Sequence, residues 1–174
     1  MKIKHILFST FFFVSLLSHA ENDGRFFAVT EAGQTKLAAP TTSSYSFTSN
    51  SWDVGIGYEN GSHQLEFTAG SAMSLSSTTG GTTTSYDLSS YSYIYNYKIL
   101  TSGNFRPFIG FGRYGGTQSV TSGTDVTYSR NIYDLGIEVP LDDNSSIRLK
   151  YLKSLEETGY TTISAVLLGL LYRF

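Results

Sequence analysis

Through much of this chain apolar residues recur at every second position, the period of a β-strand with one buried face. In "WDVGIGYE", Trp52, Val54, Ile56 and Tyr58 share one face, while Asp53, Gly55, Gly57 and Glu59 share the other. "ENGS" follows, and its Asn60-Gly61 pair is a strong two-residue hairpin signal. The next stretch, "SHQLEFTAG", sets Leu65, Phe67 and Ala69 against Gln64, Glu66, Thr68 and Gly70. A two-residue turn pairs Ile56 with Leu65 and Val54 with Phe67, so the apolar faces coincide. A slip of one residue would put them on opposite sides.

The same alternation continues to both ends. "YSYIYNYKI" groups Tyr91, Tyr93, Tyr95, Tyr97 and Ile99 against Ser92, Asn96 and Lys98, and "FRPFIGFGRY" aligns Phe105, Pro107, Ile109 and Phe111. "YDLGIEV" and "IRLKYLKSL" set Leu135, Ile137, Val139, Ile147, Leu149 and Tyr151 against Asp134, Gly136, Glu138, Arg148 and Lys150. The first strand, "RFFAVTEAGQ", sets Phe26, Ala28 and Thr30 against Arg25, Val29, Glu31 and Gly33. The last carries Val166, Leu168, Leu170, Tyr172 and Phe174 on one face. The count is eight strands.

Short connections around Asn60-Gly61, 100–104 and 140–146 alternate with longer ones around 38–50, 71–85, 115–127 and 156–161. Short turns at one end and longer loops at the other are the pattern of bacterial outer-membrane barrels. The loop at 71–85 has 10 Ser or Thr in its 15 residues and no charge, and is expected to be mobile.

Face chemistry then separates lipid from water. The apolar face is free of charge through the middle of most strands, as hydrocarbon requires. The other face holds Glu31, Asp53, Glu59, Glu66, Asp134 and Glu138 with Lys98, Arg148, Lys150 and Arg173. In a narrow barrel these predict an interior charge network that closes the lumen. A turn centred on Asp143 places Glu138 opposite Arg148, which predicts that they pair. Trp52, Tyr91 and Tyr133, and at the other end Tyr58, Tyr97, Tyr172 and Phe174, form two expected aromatic girdles. Arg113 and Lys153 fall on the outward face beyond Phe111 and Tyr151, where they are expected to meet lipopolysaccharide phosphates.

The amino terminus changes the domain picture. Lys2 and Lys4, the apolar run Ile6–Leu17 and the small residues before Glu21 predict a signal peptide over 1–20. Residues 21–174 then form one barrel domain. Of the 12 Lys and Arg in the chain two lie in that signal, which leaves 10 against 14 acids and argues against nucleic acid. With no cysteine there is neither a disulfide framework nor a Cys-ligated metal. No cofactor is expected.

Three motifs suggest chemistry and lose to plainer readings. Gly110, Gly112 and Gly115 match G-x-G-x-x-G, but no helical period follows to hold a phosphate. His63 falls near a short turn on the lipid-facing parity, a poor place for a serine–histidine acyl transfer on lipid A. The sequons "NGS" and "NSS" sit in short turns and carry no weight.

Taken together, the signal peptide, eight alternating strands, "RPFIGFG" and the closing Tyr172-Arg173-Phe174 resemble the small eight-stranded outer-membrane barrels, OmpA/OmpX-like and opacity-protein-like. The resemblance implies an all-β, antiparallel up-and-down transmembrane barrel, monomeric, in the bacterial cell outer membrane. It implies that Tyr172 and Phe174 belong to a signal for the barrel-assembly machinery. Members of this group differ in role, so a structural or surface-interaction function through the outer loops, toward a host or cell-surface ligand, is the expectation. A transport barrel for small apolar molecules, or a lipid-A-modifying enzyme, is the alternative.

Overall fold

A computed structural model describes residues 24–38, 46–79, 82–120, 125–155 and 162–174. The signal peptide expected over 1–20 and the connection at 156–161 lie outside the described residues. Eight antiparallel strands close into a barrel in sequence order. They are β1 (Arg25–Ala38), β2 (Ser46–Asn60), β3 (His63–Thr79), β4 (Thr82–Lys98), β5 (Arg106–Val120), β6 (Val126–Pro140), β7 (Ser145–Ser154) and β8 (Thr162–Arg173).

Register gives the barrel its shape. Paired positions run from Phe26 through Tyr58, Leu65, Tyr95, Phe111, Tyr133, Lys153 and Ser164 back to β1 at Lys36. The circuit closes ten residues from where it began. With usual strand spacings, that stagger over eight strands tilts them by about 40°. The register of the β2–β3 hairpin is displaced by two residues from the expected pairing of Ile56 with Leu65 and Val54 with Phe67: the ladder sets Ile56 against Phe67, Val54 against Ala69 and Tyr58 against Leu65. Gly61 adopts φ +57°, and the turn spans Gly61-Ser62 rather than Asn60-Gly61. The two-residue displacement preserves the shared face because strand side chains repeat every two residues.

Outside, the wall is apolar. Val54, Ile56, Phe67, Tyr93, Ile109, Phe111, Leu135, Ile137, Leu149, Val166, Leu168 and Leu170 are all exposed. A water-soluble monomer rarely shows contiguous apolar surface above a few hundred Å², so this belt is a surface for hydrocarbon. One expected girdle residue departs from the pattern: Tyr58 is buried, with Phe26 edge-on at 5.2 Å and Gly24 lying against its hydroxyl.

Inside, glycine makes room for large neighbours. A Cβ at Gly57 would stand 2.1 Å from the Phe27 ring, and one at Gly110 would stand 1.9 Å from Asp134 Oδ1. Gly110 and Gly112 therefore serve packing within β5, and no helix follows them.

Strands extend into three of the segments expected as long connections: β1 and β2 into 38–50, β3 and β4 into 71–85, and β5 and β6 into 115–127. β3 and β4 stay paired to Thr79 opposite Thr82, so most of the 71–85 segment is strand, interrupted only by a register shift between Ala72 and Leu75. Ser and Thr do not interrupt a ladder whose hydrogen bonds are all backbone, and Thr favours strand conformation. The β2–β3 ladder stops at Ser51 opposite Ala72, and β4–β5 stops at Tyr86 opposite Val120. The β3–β4 hairpin thus stands above the wall as a two-stranded ribbon, and Met73–Thr79 has no ladder partner on its β2 side among the described residues.

Candidate functional site

The described interior has three tiers. At the short-turn end, Lys98 Nζ lies 2.6 Å from Glu59 Oε2 and Arg173 Nε lies 2.5 Å from Glu59 Oε1. Arg173 Nη2 also pairs with Glu138 Oε1, to which Ser146 Oγ donates at 3.2 Å. Above this lies the centre of the network. Arg148 Nη2 reaches Glu66 Oε2 at 2.6 Å and Glu31 Oε1 at 3.0 Å. Lys150 Nζ meets Glu31 Oε2 at 2.6 Å and Glu66 Oε1 at 3.1 Å. Two carboxylates and two cations form a closed quartet, and the Arg148 guanidinium sits 5.6 Å from the centre of the Phe108 ring. Burial in the lumen strengthens each contact and makes an unpaired member costly.

The remaining expected acids find neutral partners. Ser90 Oγ donates to Asp53 Oδ1 at 3.3 Å. With its carboxamide nitrogen turned toward the carboxylate, Asn96 donates to Asp134 at 3.0 and 3.2 Å.

Glu138 and Arg148 occupy opposed positions in the β6–β7 register. Their charged groups nevertheless part company. Glu138 turns to Arg173, while Arg148 crosses the lumen to β3 and β1. Adjacent register sets the Cα positions, but in a tilted, closed barrel a long side chain pointing inward meets residues from the far wall. The expected direct pair is replaced by a cross-lumen one.

The third tier was not foreseen. Toward the long-loop end the inward positions are Leu37, Leu88, Ile94, Tyr114, Ile132, Leu152, Ile163, Ala165 and Leu167, packed as one apolar cluster. The expected charge network thus occupies only part of the interior: the short-turn half holds the charges beside Phe27, Val29 and Leu171, and hydrocarbon fills much of the other half. In the sequence the signal for this tier is inward parity: Ile94, Ile132 and Leu152 share it with Asn96, Asp134 and Lys150.

The outward candidates are dispersed. Arg113 is exposed, and its Nε donates to Ser129 Oγ at 2.6 Å. Lys153 lies opposite Tyr133 and Ser164, and Ser164 lies opposite Lys36 on β1. Lys36 is therefore a third outward cation near this rim, on the same parity as Phe26, Ala28 and Thr30. Tyr172 and Phe174 point outward at the other end, where Phe174 N donates to Phe26 O at 2.9 Å. His63 also faces outward, its Nδ1 2.5 Å from Tyr95 Oη and its ring edge-on to Tyr97. It sits within a ring cluster at the short-turn end.

Comparison by structure adds the fold's relatives. Neisserial surface protein A superposes with a TM-score of 0.70 at 14% identity, over 88% of this chain and 100% of that one. The chain has the fold of the small eight-stranded outer-membrane barrels. Ail, the attachment invasion locus protein of Yersinia pestis, solved in complex with the heparin analogue sucrose octasulfate, gives 0.61 at 15% identity over 88% of this chain and all of Ail. The amino-terminal barrel domain of Pseudomonas aeruginosa OprF gives 0.59 at 16%, covering 87% of this chain and 100% of that domain. No protein-family model and no curated protein matches the chain by sequence.

Proposed function

We propose that this protein is an integral barrel of the bacterial outer membrane that acts through its outer hairpins, in adhesion or in envelope integrity, and neither catalyses a reaction nor conducts solutes. One observation carries the reading. The β3–β4 ribbon carries an uncharged Ser/Thr sequence and, at Met73–Thr79, a backbone edge with no ladder partner on its β2 side among the described residues, an arrangement suited to contact with other molecules. The filled interior supports the absence of conduction, since an eight-stranded barrel leaves little space beyond its side chains.

The outward cations extend this reading to the membrane itself. We assign Arg113 and Lys153, joined by Lys36, to contact with lipopolysaccharide phosphates; the hydrogen bond from Arg113 to Ser129 Oγ supports an ordered guanidinium there. Tyr172 and Phe174 are assigned to recognition by the barrel-assembly machinery.

The test replaces residues 74–85 by Asn-Gly in cells that otherwise lack the protein. The barrel should still fold, while attachment to host-cell or sulfated-glycan surfaces, or resistance to bile salts, falls to the level of cells without the protein. Attachment and resistance both equal to wild type would remove the ribbon from the function.

A further inference from the structure

Glu31, Glu59, Glu66 and Glu138 each pair directly with a buried cation of the lumen. Asp134 does not. It is fully buried on β6, beside Asn96 of β4 and Gly110 of β5. The charges that act on it are Glu31 on β1, Glu66 on β3, and Arg148 and Lys150 on β7. Those four already form the quartet, in which two negative charges balance two positive ones. An ionised Asp134 would add an uncompensated charge in surroundings that solvate it poorly.

Hydrogen-bond polarity points the same way. Gln64 is fixed in orientation from both sides. One of its amide atoms lies 3.2 Å from Arg148 Nη1, which can only donate, so that atom is the oxygen. The other lies 3.4 Å from Glu59 Oε2, a carboxylate oxygen held by Lys98, so that atom is the nitrogen. Asn96 also reaches Gln64 Oε1 at 3.2 Å, and it must turn its nitrogen there to donate. Its oxygen then faces the two Asp134 oxygens at 3.0 and 3.2 Å. Turning Asn96 over only moves the conflict, because its oxygen then meets Gln64 Oε1 at 3.2 Å. Turning Gln64 as well sets its nitrogen against Arg148 and its oxygen against Glu59. With Asp134 ionised, every arrangement leaves a contact with no hydrogen to share or with two. Buried mismatches of this kind are costly.

The geometry points to Asp134 as a proton-binding site in the lumen, a neutral carboxylic acid whose O–H donates to Asn96 Oδ1. One polarity then runs through the whole chain: Asp134 donates to Asn96, Asn96 to Gln64, and Gln64 to Glu59. The proton sets the orientation of Asn96. Without it Asn96 turns over, and the link from β6 through β4 to Gln64 on β3 is broken.

The experiment uses the whole barrel folded in neutral detergent micelles at neutral pH. The infrared spectrum of the wild type minus that of Asp134→Asn should contain the carbonyl stretch of one carboxylic acid. A difference showing only carboxylate bands would overturn the assignment. Asp53→Asn should leave the acid band in place; its loss there and not in Asp134→Asn would give the proton to Asp53 and overturn the proposal. If Asp134→Asn does not fold, NMR of the unaltered protein decides. The Asn96 side-chain amide hydrogens should cross-relax more strongly with Gln64 Hγ than with Gly110 Hα, which lies on the Asp134 side. The reverse order of intensities would place the Asn96 nitrogen against an ionised Asp134 and refute the neutral acid.

Discussion

Glu66→Ala tests the quartet that joins the two walls of the barrel. The carboxylate is buried, with Arg148 at 2.6 Å and Lys150 at 3.1 Å. With charge centres about 4 Å apart and an effective dielectric of about 20, each contact contributes about 4 kcal/mol of gross attraction. Removing the carboxylate forfeits both, but also removes its own dehydration cost and its repulsion with Glu31. Two cations then share Glu31 alone, and the net loss expected for breaking a buried pair is ~3–5 kcal/mol. Adding Arg148→Ala should recover part of that loss, because the stranded cation is gone. Urea unfolding in phospholipid bilayers, followed through the single tryptophan Trp52 on the outer wall, measures each variant. Losses that add within ~0.5 kcal/mol would show independent residues and refute the cross-lumen pairing.

Four further outcomes are expected. Arg113→Gln with Lys153→Gln should lower stability more in lipopolysaccharide than in neutral detergent, and equal losses would count against the phosphate contacts. Deleting Phe174 should reduce outer-membrane insertion while export continues, as fractionation and heat-modifiable gel mobility would reveal; undiminished folded protein would reject the assembly signal. The intact barrel should show little ion conductance in planar bilayers, and steady large currents would contradict a lumen filled by both the quartet and the apolar tier. Asp142, held below its ordinary value of 3.8 by hydrogen bonds from the Asn144 and Ser145 amides, should titrate below that value by NMR. Its turn cap is fully present above the unfolded value and is lost as pH falls through the lower folded one; a midpoint at or above 3.8 would remove the cap.

The alternation around Val54, Phe67, Ile109 and Leu168 was sufficient to assign the outer and inner faces, because strand side chains switch sides at every residue. Those faces also placed Glu31, Glu66, Arg148 and Lys150 indoors. Turn details were less legible: Asn60-Gly61 marked the hairpin, but the ladder pairs Asn60 with His63 and so moves the turn by one residue. The Ser/Thr segment looked like loop because its composition lacks an apolar face, yet backbone hydrogen bonding alone carries the ribbon to Thr79 and Thr82.

What tertiary structure decided is who meets whom across the axis. Arg148 and Glu66 are 82 positions apart in the chain, and their contact depends on closure and the ten-residue stagger rather than on either local sequence. The same closure gathers Ile94, Ile132, Leu152 and Ile163 from four strands into one apolar tier. Alternation determines the side of the wall; the tilt of a closed sheet determines the layer and the partner.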